Sequence, residues 1–265
     1  MLLAGVVTAS AACSKLERLT LVRPSAERGE FTKVAPTYDV GGKARKSAQK
    51  LPPEQQLAAA SMLFTAGKLD AAKVKAAQVL DANPASGDAH TLLGLIASAS
   101  NNNAAAGAHY QKALGIAPGN GAYANNYGIW LCGNGRAQES LAWFDKALAD
   151  ASYPTPVSAY ANAGTCAQQA GQSVRAEANW RQALARDPDL LSALSGMASL
   201  QFGRGQYMDA RAFVQRWLAL APNDVKALQL AIQIEQKQGD IVAVQRYLLR
   251  LQAIAPDASL AHPTQ

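Results

Sequence analysis

The sequence predicts an all-α superhelix, an α-solenoid of six helix-turn-helix repeats, and three regularities carry that prediction. Prolines 84, 118, 188, 222 and 256 close successive stretches at spacings of 34, 70, 34 and 34 residues, so the long gap is two units of 34 with two extra residues near Tyr153 and Pro154. Counting each unit from 31 residues before its proline, position 8 reads Ala60, Gly94, Gly128, Gly164, Ala198 and Ile232, small in five of six units. Gly67, Gly135, Gly171, Gly205 and Gly239 all fall at position 15, where a first helix must stop and turn.

Each regularity has a steric reason. Two helices of a hairpin cross closely only where side chains are nearly absent, which is the role of position 8 and of Ala72, Ala106, Ser140, Ala176, Ala210 and Val244 at position 20. The bulk that fills the space beside them is expected at position 24, in Ala76, Tyr110, Phe144, Trp180, Val214 and Leu248. A 34-residue period with small residues at fixed offsets and a closing proline is the signature of the tetratricopeptide repeat. The expected repeats are 53–86, 87–120, 121–156, 157–190, 191–224 and 225–258, within a repeat domain of 51–265.

Composition fits a thin, elongated core. Hydrophobic residues make up 49% of the chain but aromatics only 6%, so the interior must be built from Ala and Leu, as stacked hairpins require. The formal charge of +6 is spread over helix faces without a dense cluster among stacking aromatics, which argues against nucleic acid as a partner. His90, His109 and His262 sit at unrelated offsets, and the chain carries neither a His-Glu-x-x-His pattern nor a phosphate-binding glycine loop; Gly119-Asn120-Gly121 reads as a plain turn. No catalytic residues, metal, cofactor or small-molecule substrate are therefore expected.

Ahead of the repeats, Leu2 to Val7 is an apolar run too short to span a bilayer, followed by small residues up to Cys13. Residues 1–12 resemble a bacterial lipoprotein signal, with Cys13 as the first mature residue and the site of lipidation. An ordinary secretory signal, leaving Cys13 unmodified or removed, is the alternative. Residues 13–50 then form the anchor and a polar tether. The 36 residues from Lys15 to Lys50 would span roughly 30–36 Å as a flexible chain. With Cys13 committed to lipid, Cys132 and Cys166 remain, at positions 12 and 10 of consecutive repeats. An exported chain favours a disulfide between them; two buried thiols are the other reading.

The Asn125-Asn126-Tyr127-Gly128 box with Leu131-Cys132, the Tyr153-Pro154 loop and Asn162-Ala163-Gly164-Thr165-Cys166-Ala167 resemble the PilW/PilF family of type IV pilus biogenesis lipoproteins, over about residues 53–258. That resemblance implies a pilotin, an outer-membrane lipoprotein facing the periplasm that helps the secretin PilQ reach the membrane and multimerise. A second reading of the same repeats is a scaffold for another envelope complex, in outer-membrane protein assembly or cell-wall synthesis. Either job would use the concave wall of first helices. Positions 5, 9 and 12 are expected to face it, giving Leu57, Ser61, Phe64, Thr91, Leu95, Ser98, Asn125 and Ile129 as the partner-binding groove, with Leu57, Phe64, Leu95 and Ile129 as apolar anchors. The glutamine-bearing end, with Gln229, Gln233 and Gln236, is expected to be the more polar.

Overall fold

A left-handed residue ends the first helix of every repeat. Gly67, Gly135, Gly171, Gly205 and Gly239 have φ between 71° and 78°, and Asn101 supplies the sixth turn with φ 57°. Asparagine tolerates this conformation better than most side-chain-bearing residues, which is why repeat 2 turns without a glycine. The computed structural model describes residues 51–255. The expected signal 1–12, the lipidation site Cys13, the tether to residue 50 and the last residues of repeat 6 lie outside them.

Within the described residues twelve helices follow one another in six hairpins. Repeat 1 holds α1 (Pro53–Thr65) and α2 (Leu69–Ala82), repeat 2 holds α3 (Gly87–Ala99) and α4 (Asn103–Ile116), and repeat 3 holds α5 (Gly121–Gly133) and α6 (Ala137–Ala149). Repeat 4 comprises α7 (Pro156–Gln169) and α8 (Ser173–Leu184), repeat 5 comprises α9 (Leu191–Gly203) and α10 (Tyr207–Leu220), and repeat 6 comprises α11 (Val225–Gln238) and α12 (Ile241–Ile254). No strand occurs among the described residues. Local chemistry sets the starts. Ser86, Asn102, Asn120, Asp224 and Asp240 each accept a backbone N–H three residues on, while Pro53 and Pro156 open α1 and α7 with a preset φ.

The hairpins close where the sequence leaves room. A Cβ placed on Gly94, Gly128 or Gly164 would lie 2.6, 2.9 or 2.5 Å from the ring of Tyr110, Phe144 or Trp180, so each position-8 glycine receives the aromatic ring of its own second helix. Ala60 and Ala198 are completely buried at the same position. Each first helix also touches the next first helix, from α1 against α3 through to α9 against α11. The core is accordingly a chain of apolar clusters, beginning at Ala60, Leu92 and Ile96 and ending at Leu228, Ile234 and Leu251, with no single centre.

The two extra residues of repeat 3 are absorbed at its end. Tyr153 is buried and takes the closing position, packing where a side chain on Gly121 would otherwise sit. Asp150 accepts the Gly121 N–H at 2.8 Å and the Ser152 hydroxyl at 2.6 Å, and these bonds hold its carboxyl below the usual carboxylate range, the Ser152 bond contributing most.

Candidate functional site

Helix geometry decides which residues of the first helices form the open wall. One cavity of about 350 Å³ is lined by Leu57 and Ser61 of α1, Asp88, Thr91, Leu92 and Leu95 of α3, and Ala122, Tyr123 and Asn126 of α5. The neighbouring hollow of about 380 Å³ takes Leu95, Ser98, Asn126, Ile129 and Trp130 together with Asn101, Asn103, Tyr110, Gly133 and Asn134. A third, of about 440 Å³, lies over α7, α9 and α11, with Thr165, Gln168, Gln169, Ser192, Ser195, Gly196, Ser199, Leu200, Lys226 and Leu230 around the rings of Trp180 and Trp217.

These linings include positions 2, 6, 9 and 13, spaced four, three and four along one helical face, beside positions 5 and 12 at Leu57, Thr91, Ser98, Gln168 and Ser195. The open face takes in most of the expected 5, 9, 12 residues and extends about one residue past them. Asn125 is an exception. It is buried, and its Oδ1 accepts a hydrogen bond from Asn162 Nδ2 at 3.2 Å, tying α5 to α7 instead of facing a partner. Phe64 likewise packs against the first core cluster and lines neither cavity. Asn126, one residue further along the helix, lines both and stands outside the expected groove set, as do Asp88, Leu92 and Tyr123.

Leu57, Leu95 and Ser98 are half-buried, Ser61 is exposed, and Ile129 is 43% exposed, the most accessible apolar side chain of this part of the wall. Thr91 is buried, and its hydroxyl has no partner among the described residues. The Tyr123 hydroxyl donates to Asp88 Oδ1 at 2.8 Å, and burial together with that carboxylate pushes the phenol far above its ordinary pKa, keeping it a donor. Behind the wall Tyr127 stacks on Trp130 with ring centres 5.5 Å apart and meets Trp143 edge-on at 5.0 Å. This stack stiffens the repeat that carries Asn126 and Ile129.

The second half of the wall is not simply the polar end. Position 6 is Gly196 in repeat 5, and a Cβ there would lie 2.4 Å from Trp180, so the indole reaches the wall between Gly164 and Gly196. Its aromatic lining, Trp180 and Trp217, comes from second helices, a contribution that a count of first-helix positions does not include, and Leu200 and Leu230 of α9 and α11 add to it.

Cys132 ends α5 and Cys166 lies in α7. Their Cα atoms are 5.8 Å apart and their sulfurs 2.15 Å apart. The Cα separation falls inside the range a disulfide spans. Among the described residues no group of three His, Cys, Asp or Glu side chains could hold a metal ion, and no helix is long and apolar enough to cross a membrane.

Comparison with known proteins follows the same architecture. Residues 57–121 and 167–233 match tetratricopeptide-repeat families. A relative from Pseudomonas aeruginosa, the type IV pilus assembly protein PilF, is 25% identical over 190 residues, covering 72% of this chain and 75% of the relative. The crystal structure of PilW, described as a widely conserved type IV pilus biogenesis factor, superposes with a TM-score of 0.73 at 30% identity, over 77% of this chain and 94% of PilW. The structure of Pseudomonas aeruginosa PilF gives a TM-score of 0.72 at 23% identity, over 77% and 92% of the two chains.

Proposed function

The chain belongs to the PilW and PilF family of tetratricopeptide-repeat proteins of type IV pilus biogenesis, and from that premise we propose that it is a pilotin. In this reading it is an outer-membrane lipoprotein, anchored at Cys13, that binds the secretin PilQ by protein–protein contact and promotes its arrival and multimerisation at the membrane. It works by docking and carries out no turnover.

The observation that carries this reading is the cavity across α1, α3 and α5. Leu57, Leu92 and Leu95 offer an apolar floor, Ser61 and Asn126 offer groups able to bond a backbone, and Asp88 is already engaged by Tyr123. Such a surface suits a helix or extended segment that places two or three apolar anchors and satisfies its own backbone at the rim. The disulfide between Cys132 and Cys166 is part of the proposal. It would fix α5 against α7 and so hold the groove's curvature at the middle of the rod.

The test is deletion of the gene followed by analysis of heat-resistant secretin multimers, with add-back of variants. Loss of multimers on deletion, and failure of Leu57→Asp or Ile129→Asp to restore them, is the expected result. Intact secretin assembly in the deletion strain would remove the pilotin reading and favour a scaffold for another envelope complex. Wild-type rescue by both charged variants would move the docking surface elsewhere.

A further inference from the structure

A second candidate site lies at the junction of repeats 1 and 2, on residues that the groove does not use. A cavity of about 440 Å³ is lined by Leu80 of α2, Pro84 of the connecting turn, His90 in the first turn of α3, and Lys112 and Ile116 of α4. In its wall His90 Nδ1 is 3.1 Å from His109 Nδ1, so one ring donates and the other accepts. Such a contact accommodates two neutral rings or one neutral ring and one imidazolium, and His90 is only 7% exposed.

The charges acting on the pair are of one sign. Lys112 from α4 bears on both rings and Lys73 from α2 bears on His109, while the Pro84 backbone accepts from His90 and works the other way. Burial contributes most, and with these ammonium groups it holds both imidazoles below their usual pKa. The site is therefore an open cleft with the Lys112 ammonium in its wall, beside an imidazole pair that can take up one proton and keep its Nδ1–Nδ1 contact. A cation would be repelled by that ammonium group, and an anion attracted.

We propose that this cavity binds a tetrahedral dianionic oxyanion, a sulfate or phosphate group, held by Lys112 in its wall and by proton uptake at the adjoining His90–His109 pair. The anion cancels the repulsion that keeps the imidazoles neutral, so binding and protonation reinforce each other. Affinity rises as pH falls toward 5.5, by about tenfold for each unit by which the anion restores a histidine pKa. The apolar rim of Leu80, Pro84 and Ile116 also admits a phosphate carried on an organic group.

Sulfate is the diagnostic probe, because it stays dianionic from pH 7.5 to 5.5 and any pH dependence then belongs to the protein. The full chain is titrated with sodium sulfate at ionic strength held constant with sodium chloride, following the imidazole C–H resonances by NMR. Saturable shifts of the His90 and His109 resonances, at least about tenfold tighter at pH 5.5 than at 7.5, are expected, with loss of binding in Lys112→Ala and retention in Lys146→Ala. Lys112 is exposed, so its replacement leaves folding intact. Equal shifts with chloride alone, a pH-independent affinity, or undiminished binding by Lys112→Ala would each overturn the site. Glycerol 1-phosphate separates the sources: tighter binding than sulfate assigns a phosphomonoester, and equal or weaker binding assigns the free oxyanion.

Discussion

Repeats 1–3 and repeats 4–6 share one backbone plan but are tied together by different chemistry. In the first half the bonds between repeats come from neutral donors, Tyr123 to Asp88 and Gln111 to the Tyr127 hydroxyl at 3.1 Å. The junction of the halves carries both kinds, Asn162 to Asn125 and Arg175 to Asp145 at 2.7 Å. In the second half they come from arginine. Arg204 pairs with Glu177, and Arg211 bridges from α10 to Glu235 and Asp240. Arg216 and Arg250, 34 residues apart, each donate to the carbonyl of the proline that closes the preceding repeat, Pro188 and Pro222. Neutral donors leave Asp88, already bonded by Tyr123, as the one charged group in the cavity across α1, α3 and α5, where a bound hydrophobic segment would have to strip charge of water. The second wall mixes Ser, Gln and Lys226 with Trp and Leu side chains, and its repeats are joined by charged pairs.

The widest separation between the halves should come from Arg211→Ala. Glu235 is 1% exposed, with Oε1 2.9 Å from Arg211 Nε and Oε2 without a partner among the described residues, so the substitution leaves a buried carboxylate unpaired. A loss of about 3–5 kcal/mol is expected, confined to repeats 5 and 6 and visible in urea unfolding as a transition that precedes that of the first half. A single unshifted transition would mean that the ion pair does not hold the second half together.

The midpoint of the rod is probed by reduction. If Cys132 and Cys166 are joined, dithiothreitol or Cys166→Ser should lower stability by roughly 2–4 kcal/mol on the loop-closure account. Identical urea midpoints with and without reductant would instead leave two packed thiols at the seam.

Acid should strike the halves at different pH. His90 and His109 have folded pKa values below the unfolded 6.5, so the unfolded chain binds more protons as pH falls below 6.5 and repeat 2 loses stability there. The loss is about 1.4 kcal/mol for each unit of depression, and His109→Gln should flatten it. Glu177 has its pKa lowered chiefly by Arg204, then Arg181, so its contribution persists at pH 6 and is lost only as pH falls through the carboxylate range. Melting followed at pH 7.5, 5.5 and 4 distinguishes the two; simultaneous loss in both halves near pH 6 would contradict the assignment. The smallest effect belongs to Arg136→Ala. Its pairing with Glu139 is exposed and joins the residue before α6 to that helix's first turn, so an unchanged urea midpoint is expected.

Much of this was legible beforehand because the signals are local. A glycine needed at φ near 73°, a small residue facing Tyr110, Phe144 or Trp180, and a cap such as Asp224 each act within one hairpin, and their 34-residue recurrence fixes the repeat. The groove was legible only in part. Leu57, Ser61, Thr91, Leu95, Ser98 and Ile129 line the wall cavities, but Asn125 and Phe64 belong to seams, and Asn126 belongs to the wall. A rotation of about 100° per residue separates these fates.

The sequence alone determined the number of hairpins, where each turns and which side chains close it, since those depend on residues within reach of one another along the chain. Tertiary structure decided which face of each first helix stays open, that Trp180 surfaces beside Gly196, and that His90 meets His109 near two lysines. Those outcomes depend on the angle and offset at which one repeat leans on the next. Side-chain packing summed over many weak contacts sets that angle, and no single residue encodes it.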